Sequence, residues 1–331
     1  LFGALYFGDM NFEHEAERIL TRQLEEQILN DGAHCELSPM YHQIILSRVL
    51  DAINFLKNNP NSLAKLQSVL EKTALKMLGW LKSISWENGN IPYVNDAAPG
   101  IAPETNQLEF YAGKLGVKTS CSTLDDSGYR KFNVGDFEVL FDACNVMPSY
   151  QPGHTHADTL QVLLRYQGKD ILVDTGNSTY EKNERRHVER STASHNTVTV
   201  DQKNSSQVWG GFRVGKRAGV HILEESDKNI KARHKGYALA HNRTFSIERQ
   251  KITIQDELEG PVKGKNLTGH LHFPPEITPY KNDNSLVAGS LVFSFLDITS
   301  LELSEYLFAK GFNNLEKAWK ATYGFKEHCN I

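Results

Sequence analysis

The stretch LQVLLRYQGKDILV, residues 160–173, decides the fold class of the larger part of this chain. An apolar, β-prone run, Leu160–Tyr166, is followed by Gln167-Gly168-Lys169-Asp170 and then by a second short run, Ile171–Val173. Two such runs joined by a glycine-containing turn predict an antiparallel hairpin. No helical stretch separates them, so the crossover that a parallel pair needs is missing. Working outward, Phe137–Phe141, Thr197–Val200, Phe245–Ile247 and Ile252–Ile254 have the same texture and predict an antiparallel β-sandwich.

Toward the N-terminus the period changes. From Asn11 to about Gly116, apolar residues recur at helical spacing, as in Ile19, Leu20, Leu24 and Ile28, and again in Ile44, Ile45, Val49, Ile53 and Leu56. Ser38-Pro39-Met40-Tyr41 reads as a helix start, with Ser38 offering an N-cap oxygen and Pro39 at the first helical position. Tyr41 then falls in the first turn. A further helix is expected from about Ser62 to Ile84, a turn over Trp86–Pro92, and a shorter helix near Pro103–Leu115. The expectation is an α+β chain, with a partial α/α-toroid of helix pairs over residues 1–115 and a β-sandwich over 116–331. The opening Leu1, Ala4, Leu5 and Phe7 form an apolar helical face with no capping residue before it. Residues upstream of Leu1, and any export signal with them, are expected.

Composition narrows the function. The chain has 331 residues, 40% of them hydrophobic, enough for two cores. Its 36 basic and 40 acidic residues give a net charge of -4, which lacks the basic excess that nucleic-acid binding requires. No apolar run approaches the roughly 18 residues of a membrane span. Cys35, Cys121, Cys144 and Cys329 are scattered, with no CxxC pair.

Chemistry concentrates in three polar clusters beside predicted strands: PGHTHAD at 152–158, LVDTG at 172–176 and RSTASHN at 190–196. His156, Asp174 and His195 can converge as two imidazoles and a carboxylate, a set suited to one divalent ion, zinc foremost and calcium second. His154 shares the parity of His156 if the segment is extended, although a turn at Gly153 would redirect it. The HxHxD pattern lacks the second His that metallo-β-lactamase-like hydrolases carry after the Asp, since Thr159 stands there. Arg186 and Arg190 suit bidentate binding of a carboxylate or sulfate, or structural pairing with Glu184 and Glu189. Tyr180 and Trp209 are candidate sugar-facing aromatics, with His234 and His241 as further cleft candidates. His42 is a candidate for substrate contact or, with Glu36, for support of the Tyr41 loop; His34 is left open.

Four segments together carry a resemblance. DGAHCELSPMYH at 31–42, PGHTHADTL at 152–160, ILVDTG at 171–176 and RHVERSTASHN at 186–196 resemble, in the same order, motifs of bacterial heparinase II/III-type polysaccharide lyases. The resemblance implies an acidic polysaccharide substrate, cleavage beside a uronic acid by β-elimination, and a periplasmic or secreted location. It identifies Tyr41 and His154 as the catalytic pair and His156, Asp174 and His195 as the metal set. Such a reaction must neutralise the uronate carboxylate, remove the C5 proton and protonate the leaving oxygen at C4. Tyr and His can share the last two tasks, and a helix N-terminus at Tyr41 favours both a phenolate and an anionic substrate. The resemblance places the carboxylate-neutralising residue on an earlier helix, before Leu1. Two other functions stand beside this one: a glycoside hydrolase, for which no carboxylate pair presents itself, and a non-catalytic carbohydrate-binding or assembly protein.

Overall fold

Among the described residues the helical period of the first third resolves into five helices: α1 Phe2–Phe7, α2 Met10–Gln27, α3 Pro39–Lys57, α4 Ala64–Ile84 and α5 Thr105–Lys114. The computed structural model describes residues 1–59 and 63–331; the expected start of the fourth helix at Ser62 lies outside the described residues. Asp9 caps α2 through its side chain, and Glu104 with Gln107 forms a capping box on α5. Pro39 occupies the first turn of α3, as its missing N–H permits, but Ser38 makes no side-chain cap bond and its hydroxyl is buried. The apolar positions then do the packing. Leu46, Leu50, Ile53 and Leu56 of α3 are almost fully buried, as are Leu70, Ala74, Met77 and Leu81 of α4, and α3 packs against both α4 and α5.

Two compact units result. The first comprises Leu1–Pro92 and Gly100–Ser127. Residues beyond α5 remain with it because Ser127 N–H donates to Asp31 Oδ2 at 2.8 Å, Ser122 Oγ to the Asp31 carbonyl at 2.6 Å, and Ser122 N–H to Ser83 Oγ at 2.8 Å. The second comprises Tyr93–Pro99 and Gly128–Ile331. A seven-residue loop from the middle of the helical sequence thus belongs to the sheet unit.

The sheet unit is antiparallel, as the hairpin reading expects. A four-stranded sheet runs in the order Tyr129–Val134, Phe137–Asp142, Val162–Tyr166, Lys169–Leu172. Gln167 and Gly168 turn its last hairpin with φ of 50° and 72°, the left-handed pair that a two-residue hairpin requires. The larger sheet follows the order Val198–Val200, Leu267–His272, Asn314–Asn330, Lys251–Glu259, Ala240–Glu248, Asn229–His234, Val220–Ser226, with Leu296–Gly311 also paired to Asn314–Asn330. Those two long strands lack the compact apolar runs that mark the others. One core joins the sheets, with Val139, Phe141 and Leu164 from the smaller and Phe245, Ile254 and Tyr323 from the larger. Each fully buried large side chain there contributes roughly 1.5–3 kcal/mol.

Candidate functional site

The segment Pro152–Asp158 is irregular and lies between two strands of the four-stranded sheet. Its extended parity does not decide where the two histidines point. Both turn to Asp96, which arrives on the Tyr93–Pro99 loop of the same unit. His154 Nδ1 lies 2.8 Å from Asp96 Oδ2, and His156 Nε2 lies 2.8 Å from Asp96 Oδ1. Arg186 forks the same carboxylate, with NH2 2.7 Å from Oδ2 and NH1 in contact with Oδ1. Burial alone would raise the Asp96 carboxyl; the hydrogen bonds from His154 and His156, with Arg186 behind them, hold it well below the usual carboxylate range. Neighbouring Asn95, in the left-handed region at φ 54°, accepts the His156 backbone N–H at 2.9 Å. Asp96 has no motif spacing to its partners, which follow it by 58, 60 and 90 residues, so sequence reasoning missed it.

Asp174 and His195 meet as expected. Asp174 follows the strand Lys169–Leu172 and His195 follows a 3-10 turn, Thr192–Ser194, and Asp174 Oδ2 lies 2.8 Å from His195 Nδ1. The other oxygen of Asp174 accepts the Gly176 N–H at 2.9 Å. Gly176 has φ 80°, and a Cβ there would stand 2.7 Å from the Ala309 carbonyl oxygen, so this turn requires glycine. The His195 and His156 rings have centroids 5.4 Å apart. His156 Nδ1 and His195 Nε2 are buried without a hydrogen-bond partner. Burial lowers His156 to about 4; for His195 burial is opposed and outweighed by Asp174, which raises it. Two further carboxyls face this imidazole: burial pushes Asp158 up to about 6 and, with Asp158 repelling it, Asp142 up to about 8.

These observations test the expected metal set. Two orphaned imidazole nitrogens amid buried carboxyl groups fit a divalent cation, and two imidazoles on one ion place their ring centres roughly 5 Å apart, given metal–nitrogen distances of about 2 Å. Asp174 meets His195 at Nδ1, the ring nitrogen on the far side from the orphaned Nε2, so here it backs that imidazole rather than facing the same point. Among the described residues no group of three His, Cys, Asp or Glu side chains is arranged around a metal position.

The remaining candidates divide by burial. Arg186 and Arg190 are withdrawn from any substrate role: each is almost fully buried, and Glu189 is paired with Arg185 instead, at 2.7 Å. Arg186 serves Asp96 and the Gly211 carbonyl, while Arg190 binds the carbonyls of Thr155 and Gly211 at 2.8 Å. They thereby hold the turn that carries Phe212, whose ring stands edge-on to His154 at 6.0 Å. Tyr180 is half-buried, 6.2 Å from the His154 ring and 5.2 Å from the Arg186 guanidinium. Trp209, 40% exposed, is the one of these candidates open to solvent. His234 and His241 line no cleft; both are fully buried and bonded to each other.

In the helical unit, Tyr41 is half-buried in the first turn of α3. His42 cannot contact substrate. It is fully buried, its Nδ1 accepts the His34 N–H at 3.2 Å, and its Nε2 donates to the Met77 carbonyl at 2.9 Å. Burial lowers it to about 3. It therefore supports the loop before Tyr41, as does Glu36, which lies 3.7 Å from His34.

Comparison with known proteins assigns the chain to a family. Residues 10–112 match the heparinase II/III N-terminus family and residues 117–320 the heparinase II/III-like C-terminal family. A heparin-sulfate lyase of Bacteroides stercoris is 26% identical over 81% of this chain and 43% of its own. One from Pedobacter heparinus is 25% identical over 56% and 31%. The chain thus spans less than half the length of these curated relatives. Among solved structures, a heparan sulfate lyase mutant from Pedobacter heparinus superposes with a TM-score of 0.73 at 18% identity, and a heparinase III with 0.72 at 18%; each alignment covers 95% of this chain and 54% of the other. At that identity the likeness concerns the fold, an α/α-toroid followed by a β-sandwich. Since both halves match in order and the C-terminal match alone covers more than half of the residues, the chain belongs to the heparinase II/III family.

Proposed function

We propose that this protein is a polysaccharide lyase that cleaves a uronic-acid-containing acidic polysaccharide by β-elimination, with heparan sulfate the first substrate to try. The observation that carries the reading is the ordered match of both halves to the two heparinase II/III families. Local geometry supports it. Of the three histidines in the sheet-unit site, His154 alone is open, with its side chain 20% exposed, while those of His156 and His195 are fully buried. A group that takes a proton from a polymer must be reachable. In this reading His154 removes the C5 proton and Tyr41 protonates the leaving oxygen.

The metal belongs to the same proposal in a revised form. His156 Nδ1 and His195 Nε2 hold one divalent ion, zinc foremost, and Asp174 orients His195 from behind, a carboxylate–histidine–metal arrangement. When bound, such an ion would supply fixed positive charge among buried carboxyls and so hold the wall that carries His154. We place the site of action in the periplasm or outside the cell, where such polymers are met.

The deciding experiment is ultraviolet absorbance of the new conjugated double bond during digestion of a panel of acidic polysaccharides. A hydrolase or a binding protein produces none. In the native protein, Tyr41→Phe should lower turnover about 100-fold or more with little change in KM, because a proton-transfer group is lost while the ring remains. Near-normal turnover would reassign Tyr41 to packing.

A further inference from the structure

Asp96 is fully buried, and each of its oxygens accepts one imidazole N–H and one guanidinium N–H. An ionised carboxylate can only accept hydrogen bonds, so in each of these the hydrogen sits on the histidine nitrogen. Two opposite tautomers follow. His154 carries its hydrogen on Nδ1, which puts its lone pair on Nε2; His156 carries its hydrogen on Nε2, which puts its lone pair on the orphaned Nδ1. The carboxylate is itself clamped. Arg186 forks it while donating to the Gly211 carbonyl at 3.0 Å and to Asn177 Oδ1 at 3.0 Å, and its guanidinium lies near the rings of Tyr180 and Phe212.

We propose that Asp96 is a positioning residue that fixes, from one carboxylate, both the base nitrogen of His154 and the metal-facing nitrogen of His156. The role of His154 rests on the lyase reading above; the assignment of the two tautomers does not. One anion therefore ties the orientation of the acid–base group to that of the metal site. Loss of Asp96 affects both at once, which loss of either histidine does not.

Long-range proton–nitrogen spectra of the native protein with 15N-labelled histidine read the tautomers directly. For the neutral rings the expected result is hydrogen on Nδ1 of His154 and on Nε2 of His156; a neutral His154 with its hydrogen on Nε2 overturns the proposal. In Asp96→Asn one acceptor oxygen becomes an NH2 group, so one imidazole loses its partner. That variant should show a changed tautomer, reduced zinc content and a kcat lower by roughly 100-fold or more at a KM within about threefold, in line with other orienting carboxylates. Since Asp96→Asn leaves Arg186 without a counter-charge and can fail to fold, Asp96→Glu is its companion. It keeps the anion but displaces the oxygens by a methylene, and should lower kcat at least ~10-fold at unchanged KM. Unchanged kcat in a folded variant, or a rise in KM alone, overturns the proposal. If the native protein cleaves no polysaccharide, the lyase reading fails, and the tautomers and zinc content alone then decide the role of Asp96.

Discussion

The sheet unit contains two buried aspartates built alike, and only one of them belongs to a candidate site. Asp256, like Asp96, is fully buried and forked by an arginine: Arg243 Nε and NH2 donate to its two oxygens at 2.7 and 2.8 Å. It too accepts from a histidine, with His241 Nε2 at 2.7 Å. Around Asp256, however, the network closes. The Gly236 N–H donates to His234 Nδ1, His234 Nε2 to His241 Nδ1 and His241 Nε2 to Asp256, so both nitrogens of each ring are used. The remaining Arg243 nitrogen donates to the carbonyls of Leu160 and Asn196 at 2.7 Å. Around Asp96 the network stays open, since His156 keeps an unsatisfied Nδ1 and His154 reaches solvent. What separates a structural hub from a functional one here is the leftover lone pair, not the residue types.

Four tests break or sharpen this contrast. The largest effect is expected at the closed hub: Asp256→Ala strands the buried Arg243 charge and should cost about 3–5 kcal/mol in urea unfolding. A loss below about 1 kcal/mol would remove the distinction. Next comes the paired comparison of His156→Ala with His241→Ala. The first should abolish zinc in the purified protein and lower the Tm, whereas the second should lower the Tm and retain zinc in the folded protein. Zinc lost equally from both would mean that the closed hub also governs the metal.

A smaller and graded effect concerns pH. Burial, with neighbouring His241 and Arg243 adding to it, holds His234 well below its ordinary value. Below about pH 6.5 the unfolded chain binds a proton at this histidine that the folded protein refuses, so folding stability falls as the pH drops toward the folded-state value. Relative to His234→Gln, the native protein should lose about 1.4 kcal/mol for each pH unit below 6.5, read from urea midpoints. Parallel curves would show that His234 is charged in the fold. The smallest effect is expected at the surface. Asp170 pairs with Arg165 at 2.8 Å but its side chain is 55% exposed, and Arg165 retains Glu138 at 3.0 Å. Asp170→Asn should therefore shift stability by under about 1 kcal/mol.

Much of the molecule was legible in the order of its residues. The change from helical spacing to short β-prone runs separates α1–α5 from the sheets, Pro39 opens α3, and Gln167-Gly168 turns a hairpin. The clustering of His154, His156, Asp174 and His195 marks the candidate site because strands place sequence-adjacent motifs side by side. These are local properties, set by backbone geometry and by side-chain period. Only the tertiary structure brings Asp96 to His154 and His156, turns Arg186 and Arg190 inward, seals His42, His234 and His241, and sets Asp174 behind His195. Each of these depends on burial and on which polar atoms find partners far along the chain, 90 residues apart for Arg186 and Asp96. Spacing in a sequence carries no record of that, because an imidazole has two nitrogens and only packing decides which is left unpaired.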